Sequence, residues 1–205
     1  MSEPPELSRE FFEILAVREL RKAGLEVGSL RVHRQAMLPE PERGYLLEFA
    51  AIVTRGTWRS KALIACRHQD GPIGGPAIEA FTHHLEEAGA LAGILFGAPD
   101  FEPEALRTAA STGIALLRVT DGRTAFDTSG WGTPGHYPAW LPAYCAQLLG
   151  RDPVGQPRYE LLESRLGDVI VAQLQRKGTE HGGGAGAGAG AGAEGRDGRA
   201  PGVGR

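Results

Sequence analysis

The run Leu91-Ala92-Gly93-Ile94-Leu95-Phe96 constrains this chain most. It is apolar throughout, bracketed by glycine and far too short to cross a membrane. A strand that does not alternate with polar residues must be covered on both faces, as the central strands of parallel sheets are. Its neighbours supply the cover. Pro76 to about Ala88 and Pro103–Ser111 read as helices, with proline at the first turn, and Ile114–Val119 reads as the matching strand. Strand, helix and strand in succession predict a parallel pair joined by a crossover. Upstream, Tyr45–Val53 and Ala62–Cys66 are strand-like, and Thr54-Arg55-Gly56-Thr57 between them has hairpin chemistry. Leu25–Val27 and Leu30–Met37 read as extended, with a Pro39/Pro41 loop after them. Leu7–Ala23 carries Phe11, Ile14, Leu15, Leu20 and Ala23 at helical spacing, Ser8 as its N-cap and Gly24 as its stop. An antiparallel meander followed by βαβ units predicts an α/β domain with a mixed sheet and helices on its faces.

Beyond Thr120 the pattern changes. Residues 121–158 hold repeated Gly and Pro among Trp131, Tyr137, Trp140 and Tyr144, and are expected to form an irregular arm with one short helix within Pro138–Leu149. The two tryptophans suit either anchoring of the arm or stacking on nucleic-acid bases. Tyr159–Arg176 shows an amphipathic stripe of Leu162, Leu166, Val169, Ile170 and Leu174. Such a helix is expected to pack on the domain or on a partner. Residues 182–205 contain 11 of the chain's 30 glycines and no large apolar side chain but Val203, so a disordered tail is expected over 178–205. The reading is thus an N-terminal extension 1–7, a domain 8–120, an arm 121–158, a helix 159–177 and the tail.

Several classes are excluded by what is missing. No apolar run approaches a membrane span, and Met1–Glu6 has neither the basic nor the apolar part of a signal peptide, so a cytoplasmic location is expected. Cys66 and Cys145, the only cysteines, form no metal-type pair. His83 and His84 are consecutive on a helix, so they face different ways and make no metal pair. The formal charge of −3 hides a basic stretch. Residues 29–68 hold Arg31, Arg34, Arg43, Arg55, Arg59, Lys61 and Arg67 against Glu40, Glu42 and Glu48. A local excess of this kind can face an anion.

Within that stretch, Glu48 sits on one strand of the hairpin and Arg67 ends the other. Such a pair, with a second carboxylate two residues before the cation, would form a Mg²⁺ site facing a phosphate. The strings around it resemble the Mrr-like branch of the restriction-endonuclease-like PD-(D/E)xK superfamily. Phe12-Glu13-Ile14-Leu15 through Gly24-Leu25-Glu26-Val27 is similar to that family's opening helix. Ala62-Leu63-Ile64-Ala65-Cys66-Arg67 resembles its strand ending in Gln/Glu-Cys-Lys. Pro72-Ile73 and Ile78, Gly93-Ile94-Leu95-Phe96, Phe101-Glu102-Pro103-Glu104-Ala105 and Gly113-Ile114-Ala115-Leu116-Leu117 follow in the family's order.

The resemblance implies a restriction-endonuclease-like three-layer fold, DNA as the partner and Mg²⁺-dependent phosphodiester hydrolysis as the ancestral reaction. It places the metal-binding acid at Glu48, a helical contribution at Glu13 and the catalytic cation at Arg67. The ligand position of the motif falls on Ala65, which has no donor atom, and Arg in place of Lys cannot act as a base. Arg55, Arg59, Lys61, His68 and Gln69 are the expected DNA contacts. The expectation is therefore a DNA-interacting protein with impaired or lost phosphodiesterase chemistry. Two rival readings stand beside it. One is an active Mg²⁺ endonuclease with migrated residues such as His68, Gln69 or Asp70. The other is a protein-interaction scaffold, with a second copy or another protein on the C-terminal helix.

Overall fold

A computed structural model of the chain describes residues 7–151 and 156–175. The N-terminal extension up to residue 6 and the expected tail lie outside them. Helix α1 (Arg9–Lys22) is capped by the Ser8 hydroxyl, which accepts from the Phe11 N–H, and Gly24 leaves the helix at φ 79°. Three antiparallel strands follow: β1 (Glu26–Leu38), β2 (Gly44–Arg55) and β3 (Trp58–Gln69). Next come α2 (Gly75–Glu87), β4 (Ala92–Gly97), α3 (Pro103–Thr112) and β5 (Ile114–Asp121). Strands β3, β4 and β5 run parallel. Every residue of β4 is buried, as its unbroken apolar run requires.

The arm departs from expectation. It forms helix α4 (Gly122–Ser129) and strand β6 (Tyr144–Arg151), and where a short helix was expected within Pro138–Leu149 the chain is extended from Tyr144 on. The Ala, Gln and Leu of β6 favour a helix in isolation, but pairing with β5 overrides that weak preference. The segment expected to be helical from Tyr159 begins instead as β7 (Pro157–Leu161), and α5 spans only Leu166–Gln175. Pro157 fits there because β7 is an edge strand.

The result is one seven-stranded mixed sheet in the order β1 to β7. Alternation along the strands splits the core in two. Leu47, Phe49, Ile64, Cys66, Ile94 and Phe96 face α1 and α5. Leu46, Leu63, Ala65, Leu95 and Leu116 face α2 and α3. This is a three-layer α/β/α arrangement. Among the described residues no helix is long and apolar enough to cross a membrane.

Candidate functional site

The hairpin β2–β3 sets the site by register. Glu48 lies directly opposite Ala65, and Leu46 opposite Arg67. Residues two apart on a strand share a face, so Glu48, Ala65 and Arg67 all point toward α2. Glu48 is 0 % exposed. Its Oε1 lies 2.7 Å from His84 Nδ1 on α2, and with the carboxylate as acceptor this nitrogen carries the proton. Its Oε2 lies 3.5 Å from Arg34 Nε on β1, an ion-pair distance at which no hydrogen bond is completed. Arg34 in turn binds Glu87 of α2 at 2.8 Å. The His84 imidazole, the Arg34 guanidinium and a second carboxylate therefore enclose the Glu48 head.

Arg67, also buried, is engaged elsewhere. Its Nη2 donates to Glu42 at 2.7 Å and its Nε donates to Gln69 Oε1. Gln69 passes the bracing on by donating to the Pro72 carbonyl at 3.0 Å. Burial pulls the guanidinium pKa down, while Glu42 and, less strongly, Glu48 hold it up. Arg67 remains a cation at any working pH. Glu42 reaches it because the loop before β2 is drawn against the end of β3. The Asp70 N–H donates to the carbonyls of Glu42 and Arg43. Gly44 makes the approach possible: a Cβ there would come within 2.0 Å of the His68 carbonyl oxygen, and its φ of 151° suits glycine.

Glu13 does not join this group. It is half-buried on α1, across the sheet, where its charge helps to raise the Cys66 thiol pKa behind the larger effect of burial. The expected DNA contacts are dispersed. Arg55 binds Asp168 through Nε and Nη2 at 2.9 and 3.0 Å, and donates to the carbonyls of Ala23, Gly24 and Ser164. It thus ties the C-terminus of α1 to the start of α5. Lys61 caps α2 through the Ala88 carbonyl. His68 stacks on Tyr45 with ring centroids 5.2 Å apart, Gln69 is buried, and Arg59 is exposed at the hairpin.

Three residues that shape the site escaped sequence reasoning: Arg34, Glu42 and His84. His84 was placed only as one of two histidines facing different ways, which holds, since His83 is exposed while His84 turns inward. The available signal was position: His84 flanks the buried Ile78, Phe81 and Leu85 stripe of α2.

A protein-family model matches the part of the chain that holds this site. The model for a restriction endonuclease family, Mrr_cat, covers residues 5–123. The chain belongs to that family. No curated protein and no solved structure matches it. The Mrr-type match takes in α1 through β5, so β6, β7 and α5 fall outside it although they complete the same sheet and core.

The Mg²⁺ that an active Mrr-type nuclease would use can be tested against the donor set. A hard dication needs several oxygens and keeps some of its water. Here Glu48 is the one carboxylate on its stretch of strand, Ala65 opposite it has no donor, and His84 and Arg34 occupy the space around its oxygens. Among the described residues no group of three or more His, Cys, Asp or Glu side chains could hold a metal. The residues present do not fit the ion.

Proposed function

We propose that this Mrr-type chain engages DNA with phosphodiesterase chemistry that is impaired or lost. One observation carries the reading: Glu48, which the resemblance puts at the metal-binding position, is fully buried and enclosed by His84 and Arg34. A group so placed is poorly suited to meet solvent, metal or phosphate. Arg67 supports the same reading, because its charge is taken up by Glu42. DNA is the partner that the family and the basic stretch favour, with exposed Arg31 and Arg59 as the cations best placed to meet a phosphate.

A single assay tests both halves. Supercoiled plasmid is incubated with the full chain in Mg²⁺, Mn²⁺ or Ca²⁺, and a labelled duplex is shifted on a gel over a salt series. The expected result is a shift that weakens steeply as salt rises, since released counterions drive such binding, with no nicking in any metal. Metal-dependent nicking that disappears in Glu48→Ala would establish the active-endonuclease reading instead. No shift at low salt would favour the protein-interaction scaffold.

A further inference from the structure

A cavity lies on the opposite face, between α1 and the arm. It encloses about 580 Å³ and is lined by Trp131, Trp140, Leu141, Pro142 and Cys145, with Arg18, Glu19 and Lys22 of α1 along one side. The volume and the mostly apolar walls with a few converging polar groups are those of small-ligand sites. The arm is held in place to form it. The Gly122 N–H donates to the Ala143 carbonyl at 2.9 Å, and a Cβ on Gly122 would come within 1.9 Å of the Pro142 carbonyl oxygen. Trp131 packs edge-on against Phe126 with centroids 6.2 Å apart. Neither tryptophan is sunk in the core: Trp131 is 44 % exposed and Trp140 69 % exposed. Anchoring alone does not account for two indoles left this open beside a cavity.

The charges indicate what would enter. Glu19 is buried, with Oε1 taken by Arg18 at 2.9 Å and Oε2 taken by the Ala146 N–H at 3.1 Å. The Lys22 ammonium stands 3.6 Å from the same carboxylate. Glu163, on the far side, pairs at 3.2 Å with Arg165, which it shares with Glu160 at 2.5 Å. On the α1 side Arg18 and Lys22 stand against Glu19 alone, both side chains nearly half exposed, while Glu163 supplies the opposing charge on the far side. Flat aromatic walls beside the two cations of the α1 side suit a ligand that is planar at one end and anionic at the other. We propose that this cavity takes one unpaired nucleotide, its base against Trp131 and Trp140 and its phosphate toward Arg18 and Lys22. The nucleotide could be free or part of a single strand. Only the strand form rests on the DNA-facing reading above.

The full chain is titrated with deoxyadenosine monophosphate, with deoxyadenosine, and with a single-stranded deoxyadenylate 12-mer, following tryptophan fluorescence. The 12-mer is also followed by anisotropy for Trp131→Ala, Trp140→Ala and Lys22→Gln, each checked for fold by circular dichroism, with Trp58→Phe as control. The expected result is quenching that survives in Trp58→Phe, with affinity about 10-fold weaker in each Trp→Ala variant, as for one lost base stack. Lys22→Gln should weaken the phosphorylated probes but not the nucleoside. Quenching by the monophosphate as well as the 12-mer assigns the site to free nucleotide, and quenching by the 12-mer alone assigns it to strand. Affinity for the 12-mer unchanged in both Trp→Ala variants, or no quenching by any probe, overturns the proposal. A duplex shift that persists while these probes fail leaves the DNA-facing reading standing, and the reverse pattern removes that reading alone.

Discussion

The two sheet faces each bury a glutamate, and they treat it differently. Glu19, on α1, has hydrogen bonds to both oxygens and a backbone N–H of β6 among its partners. It joins the opening helix to a strand more than a hundred residues later and acts as a structural tie. Glu48, on β2, has one completed hydrogen bond and one oxygen without any. Buried polar atoms are almost always paired, and an exception invites an explanation in function or history. Full satisfaction marks a group placed for the fold, whereas the unused oxygen of Glu48 is what our proposal of an acid that has lost its catalytic work expects.

The largest expected effect tests the first half of that contrast. Glu19→Ala strands the buried Ala146 N–H and leaves a void, at a cost of about 2–3 kcal/mol. Arg18 and Lys22, being half exposed, return to water and add little. Urea unfolding gives the number, and a loss below that of Glu48→Gln would break the comparison. Arg67→Met comes next. Replacing a buried ion by an apolar chain is often nearly neutral, but Gln69 Oε1 loses its donor, so about 1–2 kcal/mol is expected.

Much of this architecture was legible beforehand. The continuous run of β4, the hairpin glycine and the prolines opening α2 and α3 report local physics, and the structure follows them. The shared face of Glu48, Ala65 and Arg67 follows from strand periodicity and the turn between them. Strand β6 was not legible, because its residues have weak preferences and its conformation comes from β5. The partners of the site were hidden for a related reason. Arg34 lies on β1, Glu42 in the loop before β2 and His84 on a helix 36 residues after Glu48, and only the folded sheet brings them together.

Glu48→Gln sharpens the other side of the comparison. The amide keeps an acceptor for His84, and the oxygen it replaces had no hydrogen bond to lose. Arg34 is 41 % exposed and regains water. The change in stability should stay below about 1 kcal/mol by the same unfolding measurement. A loss as large as that of Glu19→Ala would mean that Glu48 is as much a structural tie as Glu19.

The smallest effect concerns the thiol beside Glu19. Burial, and then the charge of Glu19, push the Cys145 pKa from 9.0 to about 11. The folded thiol therefore keeps its proton to higher pH than the unfolded one. Its contribution to stability is complete below pH 9 and is lost as pH climbs through about 11. At pH 9 the loss is only roughly half a kcal/mol. It is read as the difference between the parent chain and Cys145→Ala in unfolding midpoints taken from pH 7 to pH 9, which cancels the titration of other groups. In Glu19→Gln the window should narrow, because one of the three influences raising the thiol (burial, Glu19 and Asp121) is removed. A pH profile the same in all three proteins would mean that the Glu19 carboxylate does not act on the cavity wall at Cys145.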